Sequence, residues 1–154
     1  DRAVVGGSNQ RARGNCQMWH VRVIGRAVWL LCSERDMRMD ATEYQRLASR
    51  TLIDSPDAEY DGLEIMLVWN ALGLAGESGE VADIIKKAVF HRHGLDESTV
   101  QKLIKELGDV LWYVAALCTK INVPMSTVME CNITKLQQRY PDGYSSKNSI
   151  NRKD

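Results

Sequence analysis

Residues 73–88 read GLAGESGEVADIIKKA and residues 105–117 read KELGDVLWYVAAL. Both stretches carry apolar residues at helical steps, and each holds an acidic pair spaced by three: Glu77 with Glu80, and Glu106 with Asp109. On a helix that spacing sets both carboxylates on one face, one turn apart. Two such helices packed side by side bring four carboxylates together. Carboxylates gathered in this way need cations, and the hard, oxygen-seeking ions Mg2+ and Mn2+ suit them.

The chemistry of each face argues against a merely solvated surface. In the second stretch Ile104, Leu107, Leu111, Val114, Cys118 and Ile121 alternate steps of three and four, the pattern of a bundle seam. At about 100° per residue, Glu106 and Asp109 point away from that seam, on a side shared with Trp112, Tyr113 and Ala116. In the first stretch Glu77, Glu80, Ile84 and Lys87 share one side, with Trp69, Asn70 and Gly73 further up it. Gly73, Gly76 and Gly79 recur at three-residue steps. Each costs about 1 kcal/mol relative to alanine in a helix, which implies close approach of another helix or a ligand.

Outward from these stretches the chain reads as helix from Asp40 onward. Asp40 or Thr42 caps a first helix to about Ile53, with Tyr44, Leu47 and Ala48 on one side. Ser55, Pro56 and Asp57 break it. A second helix spans about 63–90 and ends in His91, Arg92, His93 and Gly94, with Gly94 as C-cap. Ser98 with Thr99 opens a third, to about Ile121, broken by Asn122, Val123 and Pro124. A fourth runs from about Ser126 to Arg139 and stops before Pro141. It stacks Asn132, Lys135 and Arg139 on one face, a donor-rich stripe suited to phosphate oxygens. Lys87 offers the same chemistry from the second helix. The tail from Asp142 is polar and reads as mobile.

At 154 residues the chain is long enough for one domain with a real core. Twenty basic residues balance twenty acidic ones. The whole therefore offers no electrostatic basis for binding a nucleic acid polymer or an anionic membrane. The longest uncharged apolar stretch near the N-terminus, residues 27–33, is far short of the roughly 20 residues that span a bilayer. Cys16, Cys32, Cys118 and Cys131 form no CxxC pair, and Cys118 and Cys131 read as small core residues. A reducing, cytoplasmic setting is expected.

The first 36 residues are of another kind. Arg2, Arg11, Arg13, Arg22, Arg26 and Arg35 stand against Asp1, Glu34 and Asp36, with no lysine and no sustained period. They read as an extension, disordered or an artefact, with the natural start at Met37 or Met39; an Arg-rich targeting leader is the other reading. Residues 21–31 suit a strand or a short helix.

Several neighbouring chemistries are excluded by spacing. Ferritin-like di-iron sites need Glu-x-x-His on their partner helices, and neither Glu77 nor Glu106 has a histidine three residues on. GLAGESGE lacks the GK[ST] ending of a phosphate loop and follows no strand. It also lacks the GxSxG nucleophile pattern.

Taken together, GLAGESGEVADIIKKA, ELGDVLWYVAALC and NITKLQQRYPDGYS resemble the MazG-like branch of the all-α nucleoside triphosphate pyrophosphohydrolases. Glu77, Glu80, Glu106 and Asp109 fill its ExxE and ExxD positions, with 25 residues between the pairs. Asn132 and Lys135 fill its later positions. The likeness covers about residues 40–144. It implies an all-α bundle of four to five helices over residues 37–144, followed by a polar tail at 145–154. It also implies a homodimer or homotetramer formed through helices. The implied activity is Mg2+-dependent hydrolysis of a (deoxy)nucleoside triphosphate to monophosphate and pyrophosphate, in nucleotide-pool cleaning. Glu77, Glu80, Glu106 and Asp109 would then be metal ligands and catalytic groups. Lys87, Asn132, Lys135 and Arg139 would hold phosphates, and Trp69, Trp112 or Tyr113 would stack on the base. Two alternatives stay open: a phosphoribosyl-ATP pyrophosphohydrolase, and a non-catalytic helical dimerisation module.

Overall fold

The computed structural model describes residues 39–53 and 62–150 in full, together with the backbone of three short strands nearer the N-terminus. The elements run β1 (Asn9–Arg11), β2 (Gln17–Val23), β3 (Arg26–Cys32), α1 (Ala41–Ala48), a 3-10 turn (Ser49–Thr51), α2 (Leu63–Phe90), α3 (Glu97–Lys120), α4 (Met125–Arg139) and α5 (Ser146–Ile150). From residue 39 onward the described residues hold helix and turn and no strand, so the domain is all-α as its periodicity demands. Ahead of it, β1, β2 and β3 pair antiparallel in that order, with Val23 opposite Arg26 and Gln17 opposite Cys32. Strand, rather than helix, is therefore the backbone state at both ends of residues 21–31. The remaining residues up to 38, the break at Ser55, Pro56 and Asp57, and residues 151–154 lie outside the described residues. The expectations placed on them carry over untested.

The chain divides into two compact units, one of Asp1–Arg38 with Leu72–Leu111, the other of Met39–Ala71 with Trp112–Asp154. Helices α2 and α3 each contribute to both. In the second unit Ala115, Cys118 and Met125 are buried, and Ala41, Tyr44, Ala48 and Val114 pack against them. Gln45 ties this core together. Its Nε2 donates to Thr119 Oγ1 at 3.2 Å and to the Val123 carbonyl at 3.1 Å, while its Oε1 accepts the Met125 N–H at 2.7 Å. Pro124 stands at the N-cap of α4 and gives no side-chain cap. A residue of α1 thus supplies the cap that α4 lacks locally. The fully buried Asn70 of α2 is held by its own helix, donating from Nδ2 to the Met66 carbonyl at 2.7 Å.

The ends of the helices follow local chemistry. Asp40 caps α1 by accepting the Glu43 N–H at 2.9 Å. The helix stops earlier than its pattern suggests. The Ser49 hydroxyl donates to the Arg46 carbonyl at 2.8 Å and that of Thr51 to the Ala48 carbonyl at 3.1 Å, and Leu52 turns extended. Helix α2 keeps the expected bounds. At its end Arg92 and Gly94 take positive φ, of 58° and 80°, and the His93 and Gly94 N–H groups reach back to the Lys87 and Ala88 carbonyls. Helix α3 opens one residue before Ser98, because Asp96 is its cap and accepts the Thr99 N–H at 2.8 Å. It ends with Asn122 in the left-handed region at φ 55°, a state asparagine tolerates. Part of the tail expected to be mobile is helical instead. Asn148 of α5 donates to the Arg139 carbonyl at 3.1 Å, fastening α5 to the end of α4.

Two packing expectations need correction. The seam of α3 is only partly covered among the described residues: Val114 and Cys118 meet the core, but Ile104, Leu107, Leu111 and Ile121 are each more than 40% exposed. Cys131, read as a core residue, is exposed, whereas Cys118 is buried; both thiols are free. No helix among the described residues is long and apolar enough to cross a membrane.

Replacing Gln45 by alanine strands the Met125 N–H and the Val123 carbonyl. A drop of about 1–3 kcal/mol in unfolding free energy is expected in a urea titration, and an unchanged midpoint would contradict the capping role.

Candidate metal centre

The acidic cluster belongs to the first unit and is built by the turn between α2 and α3. Residues 91–96 link α2 to α3, and the meeting of Glu77 with Glu106 and Asp109, each about a dozen residues from that link, makes the two helices a hairpin. One carboxylate oxygen each from Glu77, Glu106 and Asp109 then fall within 4.8 Å of one another. Glu77 and Glu106 are half-buried and Asp109 is exposed. The hairpin thereby joins three of the four acids predicted from the paired spacing. Glu80 stands outside this group and is exposed. Its charge nevertheless reaches the cluster.

Glu77 reports the crowding. Its carboxyl is pushed above the usual range, first by desolvation and then by the negative charges of Asp109, Glu106 and Glu80 in that order. An all-oxygen, all-anionic donor set of this kind fits a hard divalent cation such as Mg2+ or Mn2+ and does not suit a thiophilic one. Glu77, Glu106 and Asp109 are the residues that would hold it. A Cβ added at Gly76, Gly79 or Gly108 would meet nothing within 4 Å. At Gly76 and Gly79, then, the glycine run answers to no close approach from the described part of its own chain.

The other predicted site residues are placed as follows. Lys87, on α2, is half-exposed and paired with Asp83 one turn earlier. Asp83 also receives Lys86, and the two hydrogen bonds, from Lys86 first and Lys87 second, hold its carboxyl down at about 2. Residue-by-residue reading passed over Asp83; the visible signal was the DxxKK spacing, which suits i,i+3 and i,i+4 pairing. In the second unit Asn132 and Lys135 are exposed along α4, and Arg139 is half-buried at its end. Trp69 is half-exposed. Trp112 and Tyr113 meet edge to face with centroids 4.9 Å apart. The Trp112 indole N–H donates to Thr51 Oγ1 at 2.8 Å, a partner 61 residues away that no local pattern announces.

With this geometry in place, the comparisons are specific. The family model described as MazG nucleotide pyrophosphohydrolase domain matches residues 69–144. That span contains all four acids, Lys87 and the α4 stripe. This chain belongs to the MazG nucleotide pyrophosphohydrolase family. It is also similar to the Gene 37 protein of Mycobacterium phage L5, at 38% identity over 110 residues, covering 71% of this chain and 96% of the phage protein. Within a MazG domain, the α2–α3 hairpin of this chain carries the paired-acid pattern that the resemblance rests on.

The cluster sets a pH dependence. Glu77 has a raised pKa in the folded state, so its contribution to stability is complete below its ordinary value of 4.5 and is lost as pH rises through the raised one. In low-salt buffer without divalent ions, the melting temperature should fall across that window. Millimolar Mg2+ should restore it, and Glu106→Gln should shrink the loss. A melting temperature indifferent to both pH and Mg2+ would contradict the crowding.

Proposed function

We propose that this MazG protein hydrolyses (deoxy)nucleoside triphosphates to monophosphate and pyrophosphate, using Mg2+ or Mn2+ held by Glu77, Glu106 and Asp109. The observation that carries this reading is the meeting of those three carboxylates within 4.8 Å on one helical hairpin. A divalent ion bound there supplies neutralisation of triphosphate charge and a more acidic water.

The chain's own groups do the rest. Glu80 is exposed and outside the cluster, which leaves its carboxylate free to accept the proton of the attacking water. The water oxygen forms a bond to the α-phosphorus. The bond from that phosphorus to the bridging oxygen breaks, and pyrophosphate leaves with the electron pair. Lys87 keeps donors free for phosphate oxygens even while paired with Asp83, since an ammonium has three. Asn132 and Lys135 are assigned to phosphate binding by residue type and by their place in the family pattern, and Arg139 by residue type and by its place on the same face of α4. Trp69, Trp112 and Tyr113 are the candidates for base stacking, each such contact being worth about 1–3 kcal/mol by analogy with nucleic-acid recognition. For Trp112 the ring face is the part available, its N–H being engaged with Thr51.

A homodimer or homotetramer belongs to the same proposal. Its support is the apolar surface that a single chain leaves open, including Leu72, Phe90, Ile104, Leu107 and Leu111. A reducing, cytoplasmic setting suits the free thiols of Cys118 and Cys131. A role in cleaning the nucleotide pool completes the reading.

The test is pyrophosphate release from a panel of canonical and modified nucleotides with Mg2+. The wild-type protein should yield pyrophosphate and monophosphate from at least one of them. Glu106→Gln should lower turnover by more than about 100-fold, beyond the loss typical of an outer-shell partner. Orthophosphate as the product, hydrolysis of phosphoribosyl-ATP alone, or an active Glu106→Gln protein would overturn the assignment.

A further inference from the structure

Asp83 is engaged by two lysines at once, Lys86 at one carboxylate oxygen and Lys87 at the other. Stability does not account for the arrangement. Exposed pairs of this spacing return little, and each pinned lysine gives up side-chain freedom. What the pairing fixes is place. Helical side chains lean towards the N-terminus, and Lys87 lies seven residues beyond Glu80, about 10 Å along the axis. Pairing with Asp83 draws its ammonium back by about a turn. Glu80, Asp83 and Lys87 fall within about 60° of one another around α2, so one side of the helix carries acids first and ammonium groups next. Lys87 is accordingly held above its usual pKa, chiefly by the Asp83 hydrogen bond and in small part by the charge of Glu80.

We propose that Asp83 is a positioning residue that holds Lys86 and Lys87 back along α2, towards the carboxylate cluster, to receive the distal phosphates of a polyphosphate substrate. This inference rests on the pyrophosphohydrolase reading of the cluster. Each ammonium spends one donor on Asp83 and keeps two. The acidic turn binds the cation of a metal–polyphosphate, and the basic turn binds its tail. Asp83 touches neither; it acts through the lysines.

The test uses the full chain and inorganic triphosphate with Mg2+, with affinity read by calorimetry. Lys87→Ala should weaken binding about tenfold, the loss of one charge-assisted contact, and Asp83→Asn about fivefold. Asp83→Glu, which can still reach both lysines, should bind within about twofold of wild type. The Asp83→Asn/Lys87→Ala double variant should lose less than the product of the two single losses, because one of the two lysines through which Asp83 acts is already gone. Lys86→Gln with Lys87→Gln leaves Asp83 intact and should reproduce the loss even if Asp83→Asn melts early. Wild-type affinity in Asp83→Asn, losses that multiply in the double variant, full binding by the two-glutamine variant, or no triphosphate binding by the wild type would each overturn the proposal. A protein that shows this Asp83-dependent binding yet releases no pyrophosphate from any nucleotide keeps the positioning role and loses the catalytic one.

Discussion

Like-charge repulsion is the constraint around which the hairpin of α2 and α3 is organised. Glu77, Glu106 and Asp109 present oxygens within 4.8 Å of one another, and the charges that bear on Glu77 are the negative ones of Asp109, Glu106 and Glu80. The crowding raises the pKa of Glu77 and opposes the fold that gathers the acids. Two cations further along α2, Lys86 and Lys87, are both turned onto Asp83. The molecule thus keeps its negative charge concentrated at one turn of α2 and its positive charge at another. On the proposed reading, a divalent cation would resolve the repulsion without dispersing the acids, and a polyphosphate would span the two turns in the order that its own charges require.

The second unit meets a different demand, the pairing of backbone groups at helix ends. Gln45 satisfies it for the α3–α4 turn, serving a hydroxyl, a carbonyl and an amide with one side chain. Apolar burial in this unit includes Met66 and Ala116 as well as the cluster of Ala115, Cys118 and Met125. Polar satisfaction and apolar packing therefore act on the same joint, α1 against the start of α4.

What could be read from the sequence was what repeats or caps locally. The bounds of α2 follow from a stretch without proline closed by Gly94, and the pairing of acids on each helix follows from a spacing of three. Less was legible wherever a partner lies far along the chain. The register of the hairpin decided that Glu77 and not Glu80 meets the acids of α3. Ser49 and Thr51 shortened α1 through hydroxyl bonds that helical periodicity does not register. Asp96 displaced Ser98 as a cap because two good capping residues stood two apart. The seam of α3 was a correct reading of an apolar stripe and an incomplete reading of its burial: Ile104, Leu107 and Leu111 remain substantially exposed in one chain. Periodicity identifies a face and does not say which molecule covers it.

The account turns on whether the three carboxylates hold a divalent cation. Manganese binding, followed by the loss of the free-ion electron paramagnetic resonance signal, tests this directly. Saturable uptake of Mn2+ by the wild-type protein, displaced by Mg2+ and abolished in both Glu77→Gln and Asp109→Asn, is the predicted result. Uptake that is non-saturable, or unchanged when those carboxylates are neutralised, would contradict it.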